Sequence, residues 1–306
     1  MHAVCEIPED AVRSPLAIAF TASFAFSSHA AVPTTPAGDG GHVTVPTFVN
    51  DAGPYPFILD TGADATSVYQ WLADRLHLPS AGAPEEMIGM TGSTQVPRYR
   101  VNTLDMGGHY LKNLSIVALP NRKDQGRQAG VLGTDFMAGE IAVFDLACRR
   151  IELHRRTDAA RLAGNSVKTP AEHAGNTDLL QIPVTINGAP GVAVLDSGSR
   201  VSKLNSTFAR AGGVDPNSAA FHDDEPIQGA NLNPMIPRSG LIGHFEFGGM
   251  RLENVHAQVI DLPIMQQVDG TQPVLLLGSD LLQTLHFVFD HDGRRVWFRH
   301  SSCVHP

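Results

Sequence analysis

The chain is poor in cysteine, lysine, aromatic residues and long apolar runs, and each shortage excludes something. Three cysteines in 306 residues cannot build a disulfide framework, and no paired cysteine spacing suggests zinc. Only four lysines occur among 22 basic residues, no basic block is present and the formal charge is −9, so a nucleic-acid-binding surface is disfavoured. The most apolar stretch, residues 16–26, has 11 residues, well short of the ~20 that span a bilayer as a helix. Fourteen histidines are scattered, with no helical pair beside an acid, so no metal is expected; no cofactor motif occurs either. What is plentiful is glycine (29) and proline (21), spread along a chain that is 42% hydrophobic. That pattern suits many short strands and tight turns, and the length suits two domains.

The N-terminus has the layout of an export signal. Arg13 precedes the apolar run Leu16 to Phe26, and Ser28-His29-Ala30 follows with small residues where a signal peptidase reads. Residues 1–30 are therefore expected to be a signal peptide, and the protein to be periplasmic or secreted, with no stable membrane insertion after cleavage. Glu6, Glu9 and Asp10 fit a signal badly and point to a translation start near Val12. Cleavage would leave Cys148 and Cys303, whose pairing the sequence leaves open.

An internal repeat organises the rest. Phe57-Ile58-Leu59-Asp60-Thr61-Gly62-Ala63 corresponds to Ala193-Val194-Leu195-Asp196-Ser197-Gly198-Ser199 at an offset of 136. Leu104-Asp105-Met106-Gly107-Gly108 corresponds to Phe245-Glu246-Phe247-Gly248-Gly249 at 141, and Val131-Leu132-Gly133-Thr134-Asp135 to Leu276-Leu277-Gly278-Ser279-Asp280 at 145. The slow drift places small insertions in loops. The expected layout is an N-terminal segment 31–42, a first lobe 43–155, a linker 156–177, a second lobe 178–300 and a tail 301–306. Short β-branched or aromatic runs read as buried strands, and Gly107-Gly108, Asn187-Gly188, Gly248-Gly249 and Asp292-Gly293 as hairpin turns. Helical spacing of apolar residues predicts helices over 66–78 and 202–211.

The chemistry lies in Asp60-Thr61-Gly62-Ala63 and Asp196-Ser197-Gly198-Ser199. A carboxylate at the end of a buried strand is costly unless it is hydrogen-bonded or functional. The neighbouring hydroxyl can anchor the loop, and the glycine permits a tight turn that bares the acid. One such tetrapeptide carries little weight; two at matching places in a repeat carry much.

These residues bring a known family into view. The sequence resembles the retropepsin-like aspartic proteases in their bacterial, single-chain form. Asp60-Thr61-Gly62-Ala63-Asp64 is close to the retroviral active-site segment. Met87-Ile88-Gly89-Met90-Thr91-Gly92 looks like the glycine-rich flap that closes over substrate, and Val131-Leu132-Gly133 and Leu276-Leu277-Gly278 match the second family signature. The resemblance implies an all-β fold of two acid-protease lobes, closed and barrel-like, with few short helices. It implies an endopeptidase acting on peptide or protein substrates without a cofactor, with Asp60 and Asp196 as a catalytic pair and Thr61 and Ser197 bracing the two loops. Asp64, Arg200, Ile88, Gly89, Met90, Thr91 and Gly92 would contact substrate. The chain would act as a monomer in which the two copies form an intramolecular pseudo-dimer. A catalytically silent peptide-binding module on the same fold is the alternative.

Departures from the family pattern matter. Arg200 stands where the first copy has Asp64, Thr134 and Ser279 replace an arginine, and the second flap, near Ile227-Gln228-Gly229-Ala230-Asn231, is less glycine-rich. Ala63 cannot hydrogen-bond the acids through its side chain, whereas Ser199 can. More donors favour the ionised form, which predicts a mildly acidic optimum.

Overall fold

The computed structural model describes residues 31–37, 41–122, 126–229, 233–269 and 272–303. The expected leader, 1–30, and Ala230-Asn231 of the second flap lie outside them. Two closed barrels of six strands make up the lobes. In the first, strand Val43–Val49 pairs with Ala52–Leu59, and the order continues through Gly130–Leu132, Ser67–Tyr69, His109–Leu119 and Arg98–Met106, which returns to Val43–Val49. The second repeats this order with Leu180–Ile186, Ala189–Leu195, Val274–Leu277, Lys203–Leu204, Met250–Val259 and Arg238–Phe247. Closure removes free edges, and it brings the signature strands Gly130–Leu132 and Val274–Leu277 parallel to the strands that end at Asp60 and Asp196.

The hairpin turns follow from local chemistry. Asn187 and Gly188 have φ of 51° and 83°, and Gly248 and Gly249 have 54° and 73°, the conformation of a type I′ turn that asparagine and glycine tolerate.

A third sheet joins the lobes. Strands Glu140–Asp145 and Leu285–Asp290 pair antiparallel at its centre, and Phe144 stacks on Phe287 with ring centroids 4.4 Å apart. Arg150–Arg155 and Arg295–His300 flank them, with Val32–Pro33 and Val167–Pro170 at the edges. Asp145 and Asp290 are fully buried at the hairpins that follow. Asp290 accepts Gly293 N–H at 2.9 Å and pairs with Arg295 and Arg156. Asp145 instead pairs with Arg150 and accepts the Ser301 hydroxyl, so only Asp290 is shown bracing its own turn.

Two expectations are revised. Residues 67–69 and 203–204 are strands, and the helices begin only at Gln70 and Ser206. Both segments are buried on all sides inside a barrel, so their apolar spacing carries no strand-versus-helix information. The stretch 156–177 is not a bare linker: it forms the helix Ala159–Ala163 and supplies Val167–Pro170 to the joining sheet. His286 is buried, and its Nδ1 has no hydrogen-bond partner.

Cys148 and Cys303 form a disulfide with Cα atoms 5.2 Å apart, closing a separation of 155 residues. It ties the C-terminal residues to the first lobe's hairpin. Restricting so long a loop in the unfolded chain stabilises the fold. Replacing both cysteines by serine is expected to lower the unfolding free energy by about 2–4 kcal/mol, read as a lower denaturant midpoint. An unchanged midpoint would show that the bridge adds nothing. No helix among the described residues is long and apolar enough to cross a membrane.

Candidate active site

Each tetrapeptide leaves a strand whose last residues are buried: Phe57, Ile58 and Leu59 in one lobe, Ala193, Val194 and Leu195 in the other. Where the apolar run ends, the backbone is tied to the parallel signature strand. Asp60 N–H donates to Leu132 O at 2.9 Å, and Asp196 N–H to Leu277 O at 3.0 Å. One turn later, Thr134 N–H donates to Ala63 O and Ser279 N–H to Ser199 O, both at 2.8 Å. Gly133 and Gly278 are required here, because a Cβ would press to 2.7–2.9 Å on loop backbone at 63–65 and 201–202 respectively. Asp135 and Asp280 complete the brace. Each accepts a hydroxyl at 2.7 Å, from Thr66 and Ser202, whose oxygens in turn accept Gly133 N–H and Gly278 N–H.

The two loops grip one another across the lobe boundary. Thr61 N–H donates to Ser197 Oγ and Ser197 N–H to Thr61 Oγ1, both at 3.0 Å. Thr61 Oγ1 donates to Leu195 O at 2.9 Å, and Ser197 Oγ to Leu59 O at 2.8 Å. Thr61 has no exposed surface and Ser197 has 4%, so water cannot replace these bonds. Ser197→Ala strands the Leu59 carbonyl and Thr61 N–H. It is expected to cost ~2 kcal/mol, measured by denaturant unfolding; a loss below 0.5 kcal/mol (roughly the size of an inert surface change) would count against the grip.

That grip sets the carboxylates face to face. Asp60 Oδ1 accepts Gly62 N–H at 2.7 Å and, from the other lobe, Gly198 N–H at 3.1 Å. The Asp60 and Asp196 carboxyl groups lie within reach of one another, close enough to share a proton. Burial and the neighbouring Asp196 charge push Asp60 up to about 8. Burial also raises Asp196, against the opposing pull of Lys203 and His42. Two acids this close titrate as a pair. Such a pair can hold one proton, offer one acceptor to a water between them and donate the proton to an oxygen above.

The remaining expected site residues divide. Ser199 does not turn its hydroxyl to the acids: Oγ donates to Val201 O at 3.0 Å and accepts from Lys203 Nζ at 2.7 Å. Its backbone N–H faces Asp196 instead, because the ammonium and the carbonyl compete for the side chain. Asp64 accepts the backbone N–H of Asp178, and Arg200 packs its stem on Gly41. Each outer loop position is thus held by the segment leading into the other lobe.

Residues Glu85–Gly89 and Gly92–Val96 form a hairpin with its tip at Met90-Thr91. Met90 packs against the second lobe's satellite core with Ile227 and Met235, and Thr91 Oγ1 accepts Gly229 N–H at 3.0 Å. Gly92 has φ 126°, which needs glycine, while Ile88 is 49% exposed. The second hairpin, Ile227–Gln228 with Pro234–Met235, is shorter. The tip of the first hairpin therefore contacts Ile227, Gly229 and Met235 of the second.

Two residues escaped the sequence reading. His42 Nε2 lies 2.8 Å from Gly198 O, and Lys203 is buried beside Asp196. His42 carried no signal; Lys203 did, as a lysine aligned with Ser67 in a strand of the repeat. Among the described residues no cluster of three or more metal-ligating side chains occurs.

A protein family described as aspartyl protease matches the chain over residues 45–136 and 182–281, one match for each lobe. No curated protein matches it.

Proposed function

The chain belongs to the aspartyl protease family, and from that premise we propose that it is an endopeptidase whose water is activated by Asp60 and Asp196, one from each lobe. The observation that carries this is the close approach of two carboxyl groups, one from each lobe, on loops held by reciprocal Thr61 and Ser197 contacts. In the singly protonated pair, the ionised carboxylate takes a proton from water as its oxygen attacks the peptide carbonyl. The protonated carboxyl gives its proton to the carbonyl oxygen. The product of the step is a neutral gem-diol, and the pair again holds one proton. Collapse transfers a proton to the departing amine.

Substrate would lie between this floor and the hairpin 85–96, so the Thr91–Gly229 contact must open for entry and re-form over the bound peptide. Loss of the first proton from the pair sets the acidic limb of activity, and loss of the second sets the basic limb. A mildly acidic to neutral optimum fits acids raised by burial. The disulfide favours an oxidising compartment, in keeping with export after cleavage at Ala30. One chain carrying both lobes is expected to act as a monomer.

The test is incubation of the purified protein, Asp60→Asn and Asp196→Asn with a mixed peptide pool, read by mass spectrometry. Cleavage by the wild type alone is expected. Cleavage surviving both substitutions would sink the pair as catalyst. Peptide binding without cleavage by any form would mark a silent binding module.

A further inference from the structure

Lys203 is 5% exposed and has no counterpart in the first lobe. The strand register fixes the comparison. Ser67 pairs with Val131 on one side and Val117 on the other, and Lys203 pairs with Leu276 and Gln258. These partners are themselves equivalent under the repeat offsets of 145 and 141. At one and the same barrel position, one lobe buries a small hydroxyl and the other an ammonium group.

A buried cation is costly unless it is paired and hydrogen-bonded. Lys203 Nζ donates to Ser199 Oγ at 2.7 Å and to Val201 O at 2.6 Å. Both acceptors belong to the loop that leaves Asp196, so the lysine is fastened to that loop and to nothing in the other lobe. Among the described residues, the charged groups that act on it most strongly are Asp196, Asp280 and Asp224, which favour its charge, and Arg200, which opposes it. Asp280 is already committed to the N–H and hydroxyl of Ser202 at 2.7–3.0 Å. Asp224 is committed to Gln258 Nε2 at 2.8 Å. Asp196 is the carboxylate left to balance the ammonium. On its other sides Asp196 faces His42 and Asp60. Among the described residues, the groups that act on Asp60 most strongly are the Gly62 and Gly198 N–H groups and Asp196.

We propose that Lys203 is a positioning residue that breaks the likeness of the two lobes, holding Asp196 as the ionised member of the pair and leaving the shared proton on Asp60. This rests on the protease reading, and it assigns the roles within it: Asp196 accepts the proton of the attacking water, and Asp60 donates to the carbonyl oxygen. The ammonium also stabilises the anionic pair as a whole. Burial pushes Lys203 down from its ordinary range, while the three carboxylates pull it back, and both of its hydrogen-bond partners accept from it, as partners of an ammonium do.

The test compares wild type, Lys203→Met and Lys203→Arg by two readouts. The first is the pH profile of kcat/KM on a peptide that the wild type cleaves. Loss of the charge in Lys203→Met is expected to move the acidic limb up by about one pH unit or more, while Lys203→Arg stays within a few tenths of a unit (roughly the spread of a conserved charge). The second is carboxyl carbon NMR of the aspartates against pH, assigned with Asp60→Asn and Asp196→Asn, which needs no turnover. Asp196 is expected to ionise before Asp60 in the wild type, and the order to weaken or reverse in Lys203→Met. An unmoved acidic limb, or Asp60 ionising first in the wild type, overturns the proposal. Should Lys203→Met fail to fold, the wild-type order decides. A wild type that cleaves nothing defeats the protease reading, while the carbon titration still judges Lys203.

Discussion

Asp196→Asn and Asp60→Asn are each expected to lower kcat/KM by about 10²–10⁴-fold, the range lost when a positioned acid or base is removed. The two losses should be alike, because the carboxyls act as one unit sharing one proton, and removing both should cost little more than removing one. The same substitutions should move stability the other way. Burial and the Asp196 charge raise Asp60 in the fold, to about 8 from 3.8. An acid whose folded value lies above its unfolded value contributes stability below the unfolded value, and that contribution is lost as pH rises through the folded one. Above pH 3.8, folding forces Asp60 to keep a proton the unfolded chain would release. Asparagine has no such proton, and its Oδ1 can still accept Gly62 N–H and Gly198 N–H. Asp60→Asn should therefore raise the unfolding free energy at pH 8 by at least ~1 kcal/mol and leave it unchanged near pH 3.5. Denaturant midpoints at the two pH values check this. A midpoint equally shifted at both would mean that the effect is not electrostatic and that Asp60 bears no strain from its partner.

Much of this site was legible because the chain carries it twice. Asp60-Thr61-Gly62 alone is a common turn; beside Asp196-Ser197-Gly198, each after an apolar strand and ahead of an apolar pair and glycine, it marks a cleft between two copies. Hairpins such as Asn187-Gly188 were legible because positive φ selects residue types locally. What stayed hidden depends on packing. Ser67–Tyr69 and Lys203–Leu204 are buried on every side, so apolar spacing fitted a helix as well as a strand. The helix Ala159–Ala163 and strand Val167–Pro170 hid in a polar, glycine-bearing stretch, because an edge strand of the joining sheet needs no apolar alternation. The contact of His42 with Gly198, and of Asp178 with Asp64, crosses the lobe boundary in both directions. No local pattern encodes such an exchange. Cys148 and Cys303 lie 155 residues apart, and only the joining sheet brings them together.

Gly198→Ala is expected to reduce kcat more than about 100-fold, the scale set by displacing a reacting group by about 1 Å. A Cβ at Gly198 would sit 2.6 Å from Asp60 Oδ1, and nearer still to its Cγ and Oδ2. The loop cannot retreat: Ser197 is locked into Thr61 and Leu59, and Gly198 O meets His42. Asp60 must swing aside, giving up Gly62 N–H and Gly198 N–H and its contact with Asp196. Overpacking of this kind should also cost ~1–3 kcal/mol of stability. Gly62→Ala is the graded comparison, because its Cβ would reach Asp196 only to 2.7 Å, so its loss should be smaller. Separated carboxyls no longer raise one another, so the basic limb of any residual Gly198→Ala activity should move to lower pH. Near-wild-type turnover in Gly198→Ala would mean that the two carboxyls need not touch, and the shared proton would then have no part in the chemistry.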